Sequence, residues 1–168
     1  MKHYLKMPGL WLVSVLLTLF IDFTLSFSAN AVVRFLCAVC TVGIALALMV
    51  QGGYSAAKAD RKAHIAYTPR RGMLLGGCGA AVPFLLTAML ALAKAGLLPG
   101  GFYRLYKLLC APFLAVCNLL CDDVTAAAFP VWGFAVLFGL SLLPVPAAQT
   151  AYRMTMQGKA PEDFLYRK

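Results

Sequence analysis

Residues 58–71 read KADRKAHIAYTPRR, and the stretches on either side of them are long and almost uncharged. These fourteen residues hold five of the fifteen basic residues, Lys58, Arg61, Lys62, Arg70 and Arg71, and one acid, Asp60. Apolar runs cover 8–27 and 33–54 before the stretch and 73–93 after it. Each approaches the ~20 residues an α-helix needs to cross the hydrocarbon of a bilayer. A short basic segment between such runs reads as a cytoplasmic loop joining two membrane helices. The expected fold class follows from it: an all-α integral membrane protein, a four-helix bundle.

Composition points the same way. The chain is 62% hydrophobic and 12% charged over 168 residues, against an apolar share of roughly 45–50% in soluble domains. A single transmembrane domain over 1–168 is expected, with no soluble appendage. The formal charge of +9 would suit nucleic acid if it lay on one soluble face. It falls between apolar runs instead, so membrane lipids, anionic on the cytoplasmic face, are the expected partner and nucleic acid is not.

Working outward, 8–27 is longer than the roughly 7–15 residues of a signal-peptide core and contains Asp22. It reads as an uncleaved first span, although Ala29-Asn30-Ala31 resembles a cleavage site. Asn30 is a candidate N-cap for the second span, whose helix is expected to continue through 55–66, Pro69 then disfavouring helical geometry at Thr68 and ending it. Residues 102–121 open with the aromatic and basic FYRLYK and continue in an apolar run of fourteen residues, 108–121. A run that short reads as an interfacial or re-entrant helix between spans three and four. The fourth span is expected at 126–148. With four spans, eleven basic residues lie on the side of the N- and C-termini and only Arg34, Lys94, Arg104 and Lys107 on the other. A fifth span would put the basic tail outside, so the positive-inside bias selects four, in the cell membrane with both termini cytoplasmic.

Gly72, Gly76, Gly77 and Ala80 repeat a small-residue spacing of four at the start of span three. Inside lipid, where apolar side chains gain nothing by leaving the solvent, such residues let helix backbones approach closely. They are the expected helix-packing face, read as intramolecular, with a homo-oligomer or another membrane protein as the other possible partner.

Gln51-Gly-Gly-Tyr54 and Gln149-Thr-Ala-Tyr152 both precede basic segments, which would make the chain two tandem helical hairpins related by an axis along the membrane normal. The Tyr at the exit of span two, Asp60 in the basic loop, Arg71-Gly72 entering span three and the Tyr-basic tail resemble a group of small bacterial four-span membrane proteins. That resemblance implies a membrane location and no particular activity.

Chemistry-bearing residues are few. Asp22 is the one acid inside a span, and an intramembrane ion pair with Arg34 across the first hairpin is expected; as the alternative, Asp22 is the coupling acid of a small oligomeric transporter. Cys37 and Cys40 form CxxC, and Cys110, Cys117 and Cys121 lie in the 102–121 segment. CxxC opening the second span, with cysteines in the second external segment, is similar to the thiol–quinone oxidoreductases that regenerate periplasmic disulfide catalysts. The resemblance implies a redox pair Cys37/Cys40, a shuttle of two among Cys110, Cys117 and Cys121, and a quinone cofactor. The arginine that family carries after CxxC is absent. The plainer reading is that these cysteines are small apolar fillers. No metal set at usable spacing and no phosphate-cradling glycine loop is present. The expected function is therefore that of a non-catalytic polytopic membrane protein, without cofactor, acting by association as an accessory or self-assembling component of a transport or envelope process. The basic residues of 58–71 serve as lipid-headgroup contacts.

Overall fold

The computed structural model describes residues 2–25, 30–99, 101–121 and 128–158. Among these the secondary structure is helical: α1 (Lys2–Leu25), α2 (Ala31–Lys62), α3 (Pro69–Lys94), α4 (Phe102–Leu109), a 3₁₀ turn (Ala111–Phe113), α5 (Leu114–Leu120), α6 (Val131–Leu142) and α7 (Pro144–Met156). Among the described residues four helices are long and apolar enough to cross a membrane: His3–Thr24, Ala31–Lys62, Pro69–Lys94 and the nearly continuous Val131–Met156.

The basic stretch is helical at both ends and turns in between. Helix α2 does not continue to Ala66; it ends at Lys62. Asn30 caps its start, accepting from Val32 N at 2.9 Å. At the other end Ile65 N reaches Asp60 O and His64 N reaches Arg61 O, the paired bonds of a Schellman cap. The residue that turns the chain is His64, at φ 53°. Helix α3 ends the same way, with Leu97 N on Leu92 O and Gly96 at φ 80°. Pro69 does not stop a helix but opens α3, where its missing N–H costs nothing. Arg70 and Arg71 thus lie in the first turn of α3, and only residues 63–68 connect the helices.

The last span is displaced from the expected 126–148. Residues 126 and 127 lie outside the described ones. Pro130, extended at ψ 142°, precedes α6, and Pro144 and Pro146 fall in the first turn of α7 without ending the span. Leu143 keeps helical angles, φ −56° and ψ −32°. Gln149 and Tyr152 are therefore inside a helix, not beyond its exit.

Helix α2 packs most extensively on α7, and α7 on α3; α1 packs on α2 and on α3. The spans consequently follow one another around the assembly in the order one, two, four, three. A two-fold axis along the helices, as two tandem hairpins would need, requires spans one and three at opposite corners. They are neighbours here, because the closest backbone approaches hold α7 between α2 and α3. A Cβ on Gly53 would collide with the carbonyl oxygen of Ala148, and one on Gly76 would come 2.6 Å from Val145 Cα. The buried core includes Met7, Trp11, Met49, Leu75, Leu90, Phe113, Leu137 and Tyr152, while Leu16, Phe20 and Phe23 stand outward at 70–76% exposure. Large apolar side chains outside and a mixed interior suit a lipid surrounding.

Segment 102–121 is not one helix. Its two halves are bent by 97° at a break where Pro112 cannot continue the ladder and Cys110 has φ −110°, ψ 41°.

Candidate functional site

The end of the assembly that carries Lys6, Lys58, Lys62 and Arg70 is called here the basic end, and the opposite one the far end. At the basic end a buried polar clasp joins three helices. Asp60, in the last turn of α2, is 3% exposed. Arg71 Nη2 donates to its Oδ1 at 2.7 Å, and the hydroxyl of Tyr152, from α7, donates to its Oδ2 at 2.9 Å. The Schellman turn folds α3 back so that its first turn meets the last turn of α2. Gly72 leaves room for the Tyr152 ring, since a Cβ there would stand 3.2 Å from Tyr152 Cδ1. Tyr67 lies against the same ring, centroids 6.1 Å apart. A carboxylate removed from water keeps its charge only when paired and hydrogen-bonded, and both oxygens of Asp60 are so used.

Toward the far end, the bent pair α4/α5 is seated inside the assembly. Thr41 Oγ1 shares its proton between Pro112 O at 3.1 Å and Ala38 O of its own helix at 3.2 Å, and Phe113 meets Trp11 edge-to-face with centroids 5.5 Å apart. Thr41 lies ten residues into α2, so at 1.5 Å per residue the break sits about 15 Å below the start of that helix. Thr87 on α3 donates to Pro83 O at 2.8 Å and Ser141 on α6 to Leu137 O at 2.8 Å. Each hydroxyl has one proton, so Tyr106 of α4, 3.1 Å from Thr87 Oγ1, is the donor of that pair. The backbone of Ala111, Pro112 and Phe113 is thereby enclosed by protein.

Between these ends, α1 presents a buried polar stripe of Ser14, Thr18 and Asp22. The two hydroxyls are returned to carbonyls of their own helix, Trp11 O and Ser14 O. Asp22, 1% exposed, accepts from the Cys37 thiol at 3.2 Å through Oδ1. Its Oδ2 has no partner among the described residues.

The contact of Asp22 is thus Cys37 and not the expected Arg34. Cys37 sits one turn deeper on the same face of α2, level with Asp22, and Arg34 is half-exposed above it. Of the CxxC pair Cys37 is buried and Cys40 exposed; these and Cys78, Cys110, Cys117 and Cys121 are free thiols. Helix α5 passes Cys37 with Ala115 and Val116, whereas Cys117 turns toward the main core. Gly72, Gly76 and Ala80 face inward, Gly72 and Gly76 against α7; a Cβ on Gly77 would meet nothing within 4 Å. Arg71, expected at the headgroups, is turned inward to Asp60, whereas Lys58, Arg61, Lys62 and Arg70 are exposed. Among the described residues no group of His, Cys, Asp and Glu could hold a metal ion.

Sequence reasoning missed Tyr152 and Gly53. Tyr152 was legible only as an interfacial tyrosine, because its partner is 92 positions away. Gly53 lies inside α2, where a glycine is itself a signal of close backbone approach. The chain matches no protein-family model, no curated protein and no solved structure.

Proposed function

We propose that the chain is a multi-pass protein of the cell membrane, its basic end and both termini cytoplasmic, which acts by association as a self-assembling component and not by catalysis. One observation carries the reading. Gly72 and Gly76 of the small-residue face are covered by α7, whereas Gly77 and Ala81 are not. With Phe84, Leu85, Leu142 and Val145 they line an apolar groove of about 340 Å³. Small residues under a groove of that kind are what a transmembrane helix of a second copy packs against. The bent pair α4/α5 is then a re-entrant segment entering from the outer side, tolerated at that depth because its backbone is enclosed.

The test is the oligomeric state of the purified full-length chain, read by native mass spectrometry, with Gly77→Leu beside the wild type. A leucine at 77 fills the groove without disturbing the internal contacts. The expected result is a wild-type dimer and a monomeric variant of unchanged Tm. A monomeric wild type, or a variant that still dimerises, refutes self-assembly through this groove.

A second reading, a small transporter with Asp22 as coupling acid, is favoured by the buried Oδ2 of Asp22, which has no hydrogen-bond partner among the described residues, at the depth of the re-entrant segment. Intramembrane acids of that kind mark ion or proton paths. Proton-driven uptake lost in Asp22→Asn at unchanged protein level would support it over pure association.

A further inference from the structure

We infer that the groove between α1 and α2 at the basic end is a binding site for one anionic phospholipid; the inference rests on the proposed orientation, which turns this end toward the anionic leaflet. The groove, about 420 Å³, is lined along α1 by Lys6, Gly9, Leu10 and Val13 and along α2 by Gln51 and Ser55. Positions 6, 9, 10 and 13 form one helical stripe, and 51 and 55 lie on one face of the facing helix. Polarity is graded along it. The Lys6 ammonium, the Gln51 amide and the Ser55 hydroxyl are gathered toward the ends of the helices. Leu10 and Val13 continue inward as an apolar trough.

Three observations select an anionic lipid as the occupant. The groove is basic: Lys6 lines it, and Lys58, outside the lining, stands one turn beyond Ser55 with its Nζ 4.5 Å above the Tyr54 ring. The described carboxylate nearest in sequence, Asp60, is turned away and held by Arg71 and Tyr152. The third observation is shape. A Cβ at Gly9 would meet nothing within 4 Å, so the trough is open where a side chain would otherwise fill it. Ser55 already donates to Gly52 O at 3.0 Å, which leaves its oxygen as an acceptor, while the Gln51 amide and Lys6 can donate to phosphate oxygens. Basic pockets between transmembrane helices on the cytoplasmic side take acidic headgroups in this manner.

Full-length protein in a neutral detergent, offered equal amounts of phosphatidylglycerol and phosphatidylcholine, is the system for the test, with bound lipid counted by native mass spectrometry. One phosphatidylglycerol per chain is expected, in preference to phosphatidylcholine. Lys6→Glu should weaken it about 25-fold, about fivefold for each of two charge units. Gly9→Leu, which leaves every charge in place, should also lower retention of the diacyl lipid by filling the trough. Equal retention of the two lipids, retention unchanged in both variants, or displacement by millimolar inorganic phosphate would overturn the site. The last result would mean a simple anion site. The same spectra report oligomeric state, so Gly77→Leu separates the two ideas: it should abolish the dimer and keep the lipid. Failure of the groove between copies therefore does not pass for failure of this one.

Discussion

Asp60 is the residue on which the basic end turns, and its surroundings explain why an acid stands among five cations. The charge is buried, its side chain 4% exposed against 31% for Arg71. Removing the arginine would strand a carboxylate in the protein interior, which costs about 3 kcal/mol. The expected outcome is that Arg71→Ala lowers stability by that amount in detergent thermal unfolding. Adding Asp60→Asn should restore more than half, since an amide keeps an acceptor for Tyr152 and carries no charge. If the double variant is no more stable than Arg71→Ala alone, burial of charge is not what the clasp controls. His64 is the other residue with a local demand on it. Its φ of 53° is one that L-residues adopt sparingly, histidine more readily than most, and glycine fills the equivalent position after α3.

Among the elements, the bent pair α4/α5 departs most from its appearance in the sequence. An apolar run of fourteen residues is too short to span, and Pro112 forces a break that leaves carbonyls in search of donors. Thr41 supplies one of them, to Pro112 itself. Phe113, 2% exposed, then fixes the tip against Trp11. Truncating a buried phenylalanine costs about 3–5 kcal/mol through lost contact and the cavity left behind. Phe113→Ala should therefore be far more destabilising in thermal unfolding than Leu109→Ala, a residue 38% exposed on the same segment. Equal, small effects would mean that the tip is not seated in the assembly. Helix α7 shows the reverse economy: small residues, Gly53 and Gly76, substitute for large side chains so that backbones touch.

For the whole molecule, the eleven-to-four division of basic residues predicts orientation. In a cysteine-free background, single cysteines at Asn30 and Gly101, both exposed, should react with a membrane-impermeant thiol reagent in intact cells, and one at His64 only after lysis. Labelling of position 64 in intact cells would reverse the orientation and move the lipid groove to the outer leaflet. The sequence by itself determined the helical class and, among the described residues, the number of long apolar helices. Those follow from run length, composition and proline, all of which act locally. It did not determine the order in which the helices pack, because period and propensity say which face is small or apolar but not which neighbour covers it. Nor did it locate the fourth span, which runs on to Met156 because Pro144 and Pro146 fall in the first turn of α7. The polar partners were decided only by tertiary structure: Asp22 with Cys37, Asp60 with Arg71 and Tyr152, Tyr106 with Thr87. A buried polar group must find a partner wherever packing brings one within 3 Å or so, and that nearness is a property of the folded chain, not of spacing along it.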